Sequence, residues 1–171
     1  MTVQSRHIAK LIRWGGLVTV AIAVWLPATF SQAGEITQKG RDTFACTDEK
    51  YVEIGDVPDH WVGVFACEGI SSTEGGETGI LETWGTGDYI AGMGPEQGYY
   101  TVTYDDGSIV RGKWEDILMP DEGGKTSTCK GTYQITSGTD RFAGIKGSGS
   151  YTCKTYSGKG YFDWTETYTL P

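Results

Sequence analysis

CKGTYQITSGTDRFAGIKGSGSYTC, residues 129–153, is the stretch whose reading decides the fold. Two arms rich in Thr, Tyr, Ile and Ser flank a glycine-rich reversal, and each arm carries a cysteine at its outer end. Runs of this composition bounded by turn residues predict strands. Residues 129–153 therefore read as a long antiparallel hairpin, closed at its open end by a Cys129–Cys153 disulfide.

The other two cysteines, Cys46 and Cys67, bracket a second hairpin-like unit, and an even number in an oxidising compartment favours two disulfides. Four cysteines allow three pairings, and the spacing favours Cys46 with Cys67 and Cys129 with Cys153. Such a compartment is also what the N-terminus suggests. Arg6, Lys10 and Arg13 precede the apolar run Gly15 to Leu26, which ends at Pro27 and the small-residue site Ser31-Gln32-Ala33. That is the layout of a secretory leader cleaved near Ala33, and the run is shorter than the roughly 20 apolar residues of a membrane span. The expected product is periplasmic or secreted, without a stable membrane anchor, and folds as one domain over residues 34–171.

Across those residues no sustained helical spacing of apolar side chains occurs. Short runs of Tyr, Trp, Thr, Val and Ile alternate with Gly, Asp and Pro clusters about every ten residues, the pattern of an all-β sandwich or barrel. The predicted strands are Lys50 to Ile54, His60 to Gly69, Ile80 to Trp84, Asp88 to Met93, Tyr99 to Asp105, Ser108 to Leu118, the two arms of the hairpin, and Lys159 to Leu170. Gly34 to Asp42 reads as a loose leading segment. Gly69 to Gly79 reads as a loop, and Gly85-Thr86-Gly87, Gly94 to Gly98 and the two-residue Asp106-Gly107 as turns. In the last strand Phe162, Trp164, Tyr168 and Leu170 alternate with polar residues, and Glu166 falls on the apolar side. His60 to Gly69 is apolar on both faces, which suits a covered strand or a barrel wall.

The phrase Gly131-Thr132-Tyr133, continued by Ser137-Gly138-Thr139-Asp140-Arg141-Phe142-Ala143-Gly144-Ile145-Lys146-Gly147-Ser148-Gly149, resembles a signature of bacterial allene oxide cyclase-like proteins. These are small calycin-like, dirigent-like barrels. Gly55-Asp56 with His60 and Gly63, and Asp106-Gly107-Ser108, are similar to other turns of that family. The resemblance implies an antiparallel closed barrel of about eight strands, with Phe142 plugging one end. Plant members cyclise an unsaturated epoxide, and many exported relatives have no assigned activity, so the fold does not carry the function. Asp140 stands where the family usually has glycine, and no catalytic residue transfers.

Glu166 is the sharpest candidate for chemistry, because a carboxylate among Trp164 and Tyr168 on an inward face would hold its proton more tightly and suit proton transfer or ligand orientation. Glu82, between Ile80 and Trp84, is a second. Trp84, Tyr100, Tyr104, Trp114, Tyr133, Tyr151, Trp164 and Tyr168 are expected to line an interior for a small hydrophobic or aromatic molecule, although such a barrel can also fill with its own side chains. His60 reads as a residue flanking a turn rather than a general base. The formal net charge of −8 and the absence of a basic stripe speak against nucleic acid as a partner. No P-loop, G-x-G-x-x-G, H-E-x-x-H, G-x-S-x-G or C-x-x-C occurs, so neither cofactor nor metal is expected. The leading expectation is an exported ligand-binding barrel. The alternatives are a cofactor-free cyclase or isomerase using Glu166 or Glu82, and an interaction protein with a filled core.

Overall fold

A computed structural model describes residues 34–171; the leader and its cleavage site lie outside the described residues. Eight antiparallel strands close into a barrel in which every strand pairs with its sequence neighbours and the last pairs with the first. They are β1 (Glu35–Glu53), β2 (His60–Thr73), β3 (Thr78–Ile90), β4 (Gly94–Tyr104), β5 (Ile109–Pro120), β6 (Ser127–Gly138), β7 (Lys146–Tyr156) and β8 (Lys159–Thr169). A single 3-10 turn, Asp140–Phe142, sits between β6 and β7. Closure leaves no sheet edge unpaired, which removes the usual route to edge-to-edge association.

The expected hairpin is present as β6 and β7, with Cys129 directly opposite Cys153, and the second disulfide joins the facing residues Cys46 and Cys67 of β1 and β2. Several expected turns are instead wall. Residues 34–42 belong mostly to β1, residues 69–79 extend β2 and begin β3, Gly85-Thr86-Gly87 lies inside β3, and residues 94–98 open β4. The reversal between β3 and β4 is Ala91-Gly92, both with positive φ (53° and 76°), and Ile90 and Met93 exchange both backbone hydrogen bonds across it. This is the geometry that a two-residue hairpin requires. The Asp106-Gly107 reversal takes three residues, Asp105 to Gly107, since Tyr104 and Ser108 bond across it.

Glycine misleads here because in this wall it serves packing. Phe65 faces Gly85, Trp114 faces Gly98, Tyr100 faces Gly112, Tyr133 faces Gly149, Tyr151 faces Gly131 and Trp164 faces Gly40. Each inward ring lies across the bare backbone of its cross-strand neighbour. A Cβ on Gly131, for example, would meet Tyr151 Cζ at 2.6 Å and Asp116 Cβ at 2.5 Å. Glycine in a strand interior otherwise weakens it, and a ring laid over the gap restores the lost contact.

One irregularity changes what the interior contains. β1 slips register between Cys46 and Asp48, so Thr47 is an extra residue. Side chains alternate strictly between faces, so one inserted residue exchanges inside for outside. Asp42, Phe44 and Cys46 line the interior below the bulge, and Glu49 and Tyr51 line it above.

The two ends differ. At one, Phe142 packs with Val110, Ile135, Ile145 and Tyr168 into a buried cluster, so the plug that the resemblance implied is present. Arg141 lies over the Phe142 and Tyr104 rings and pairs with Glu77 and Asp106, tying the plug to neighbouring turns. The opposite end is formed by the β1–β2, β3–β4, β5–β6 and β7–β8 connections.

Candidate functional site

Inward side chains of all eight strands surround a cavity of about 470 Å³. Gly92, Lys125 and Gly158 from three connections at the unplugged end also line it, which places the mouth there. The volume lies within the range of small-molecule pockets. The interior of the described residues is therefore not filled by its own side chains.

Of the expected lining residues, Tyr100, Tyr104, Trp114, Tyr133, Tyr151, Trp164 and Tyr168 all face this cavity, as does Glu166. Glu82 and Trp84 do not. In β3 the buried positions are Gly79, Leu81, Thr83, Gly85, Gly87 and Tyr89, so Ile80, Glu82 and Trp84 lie on the outer face. Glu82 pairs across the strands with Glu68 and Thr101, away from Glu166, and no inward Glu82–Glu166 pair exists. His60 is also outside, where Nδ1 contacts Asp56 at 2.5 Å and Nε2 contacts Asp88 at 2.7 Å. It clamps a turn to β3, as a turn-flanking residue should.

Glu166 sits in the half of the cavity near the plug. Gln38 Nε2 donates to its Oε1 at 2.6 Å, and the Tyr133 hydroxyl donates to Oε2 at 2.9 Å. Burial raises its pKa, with these two donors opposing the shift. Asp42, on the adjacent strand β1, accepts from Trp164 Nε1 at 2.7 Å, and burial pushes its carboxyl up to about 6, assisted by the nearby Glu166 charge. The Tyr100 hydroxyl is buried with no hydrogen-bond partner among the described residues, and both carboxylates act on it electrostatically.

A second pair of carboxyls lies nearer the mouth. Glu96 of β4 and Asp116 of β5 are cross-strand partners. The Tyr89 hydroxyl donates to Glu96 Oε1 at 2.6 Å and the Tyr151 hydroxyl to Asp116 Oδ2 at 2.6 Å. Asp116 Oδ1 is buried and has no hydrogen-bond partner among the described residues. Two adjacent carboxyls drawn out of water do not both ionise readily, so this pair is suited to holding one proton between them. Burial, reinforced by the Asp116 charge, pushes Glu96 up to about 7, and burial raises Asp116 as well. Glu96 had no sequence signal as a site residue, because Gly94 to Gly98 reads as a turn. Asp116 was visible on the Val110, Trp114 and Leu118 face, but nothing in the chain order places it beside Glu96.

No protein-family model matches the chain, and no curated protein matches it in sequence. The fold is similar to the crystal structure of a conserved protein of unknown function from Rhodopseudomonas palustris, with a TM-score of 0.56 and 12% identity over 78% of this chain and 98% of that one. This likeness concerns the fold alone. The closed eight-stranded barrel agrees with the architecture implied by the allene oxide cyclase-like resemblance, whereas membership of that family finds no support in these comparisons.

Proposed function

We propose that the protein is an exported binding barrel that holds one small, largely apolar molecule in its interior. The observation that carries this reading is the cavity of about 470 Å³, walled by aromatic rings and plugged at one end. Burying an apolar ligand there releases roughly 25 cal/mol per Å² of surface removed from water. The two disulfides and the leader-like residues 1–33 support an oxidising, extracytoplasmic location. The test is native mass spectrometry of protein purified from its producing cell. A bound mass that leaves on denaturation, and that is absent when Thr155, which lines the cavity on β7, is replaced in a Thr155→Trp variant, is the expected result. Recovery of only the bare chain, from gently handled samples of folded protein, would count against it. N-terminal sequencing of exported protein should begin at Gly34.

The Glu96–Asp116 pair favours a second reading, a cofactor-free isomerase or cyclase in which the shared proton moves to and from an enclosed substrate. If turnover of the recovered molecule exists, Glu96→Gln should abolish it while leaving binding in place. Equal product from both forms would remove the pair from the chemistry.

A further inference from the structure

We infer that the ligand is an organic cation: a protonated amine on an apolar or aromatic body, its ammonium seated between Asp42 and Glu166 with the Tyr100 hydroxyl as third partner. This rests on the reading of the barrel as a binding protein and specifies the chemistry of what it binds.

The deep half of the cavity holds two carboxyls from adjacent strands, and the groups that orient them are neutral donors: Gln38 and Tyr133 on Glu166, and Trp164, Ser71 and the Ser72 backbone on Asp42. Among the described residues no cationic side chain reaches them. The ion pairs join Arg41 to Asp163, Arg141 to Glu77 and Asp106, and His60 to Asp56 and Asp88, none of them with an interior carboxyl. The lysine that lines the cavity, Lys125, belongs to the β5–β6 connection at the mouth. A carboxyl drawn out of water either takes up a proton, the direction in which burial moves both Asp42 and Glu166, or gains from a cationic partner. Here no positive partner comes from the described residues.

The Tyr100 hydroxyl is an independent sign. It is buried, faces the same cavity, feels both Glu166 and Asp42, and makes no hydrogen bond. An ammonium has three N–H donors and no acceptor. Asp42, Glu166 and the Tyr100 oxygen supply three acceptors, and the rings of Tyr133, Trp164 and Tyr104 supply the π surface that attracts a desolvated cation. The rest of the cavity takes the apolar body against Phe65, Trp114 and Phe162. Toward the mouth the cavity is lined by Glu49 and Glu96 together with Lys125, so the deep carboxyls rather than the entrance set the sign of the ligand. A carboxylate ligand seated in the deep half would be desolvated beside Asp42 and Glu166. A metal ion is not the natural partner either, since no three His, Cys, Asp or Glu side chains converge among the described residues.

Calorimetric titration of the purified protein at pH 7.5 with three probes of one shape tests this: 4-phenylbutylamine, 4-phenylbutanol and 5-phenylpentanoate. The amine is expected to bind at least tenfold more tightly than the alcohol, with no binding of the carboxylate. In Glu166→Gln, which keeps the Gln38 and Tyr133 contacts available, the amine should fall to the level of the alcohol. Equal binding of amine and alcohol by the wild-type protein overturns the cation inference and leaves the binding reading intact. Tighter binding of the carboxylate overturns it too. Failure of all three to bind folded, ligand-stripped protein also overturns it, and the search for a co-purified mass then judges the broader reading separately. The wild-type comparison needs no variant to fold.

Discussion

Burial holds the carboxyls of Glu96 and Asp42 above their usual range, near 7 and 6, and ties the stability of the empty barrel to pH. A carboxyl raised in the folded state contributes stability fully below its unfolded pKa, and that contribution is lost as pH climbs through the folded value. For these groups the loss runs from about pH 4 to about pH 7. Glu96→Gln removes one of them while leaving an amide that can still donate to Asp116. The variant should melt close to wild type at pH 4 and above it at pH 8, by roughly 4 °C for each kcal/mol recovered. Thermal melts of both proteins across that range check the sign; a gap that narrows with rising pH would mean that Glu96 is ionised and well paired in the folded state.

The strands owe their packing to rows in which an aromatic ring covers a facing glycine. Gly131→Ala places a Cβ against Asp116 and Tyr151, with backbone of Glu115 at 2.5 Å on the third side. Overpacking of this kind destabilises by roughly 1–3 kcal/mol. Urea unfolding should report such a loss for Gly131→Ala and almost none for Ser148→Ala, whose residue lies on the outer face of β7. The same rows explain what could be read from the chain beforehand. β5 and β8 were legible because their outer positions carry charge or threonine, such as Arg111, Lys113, Glu115, Asp163 and Thr165, so alternation named the inner face. β3 was not. Its inner face is Gly79, Leu81, Thr83, Gly85, Gly87 and Tyr89, whereas its outer face carries Ile80, Trp84 and Ile90. Hydrophobicity then points to the wrong side, and Glu82 and Trp84 went with it. The bulge at Thr47 hid Glu49 and Tyr51 for a related reason, since a single-residue slip leaves no mark in composition. Glu166 was found because it alone interrupts an otherwise apolar face. Glu96 was missed because proline and two glycines around it imitate a turn.

For the molecule as a unit, the two disulfides each tie facing positions of neighbouring strands, over sequence separations of 21 and 24 residues. A cross-link over a loop of that length removes unfolded-state freedom equivalent to roughly 3 kcal/mol. Replacing Cys46 and Cys67 by alanine, or Cys129 and Cys153, should lower stability in denaturant by about that amount for either pair. Non-reducing peptide maps should recover the Cys46–Cys67 and Cys129–Cys153 linkages, and a map joining Cys46 to Cys129 or Cys153 would contradict the register. The plug carries a different implication. With Phe142 and its neighbours packed into a buried cluster at one end, the proposed binding barrel would be a vessel with one doorway and not a conduit. For the ligand proposed above, departure from the deep end would lead past Glu96 and Asp116, so the time it stays would be set at the threshold as much as at its seat.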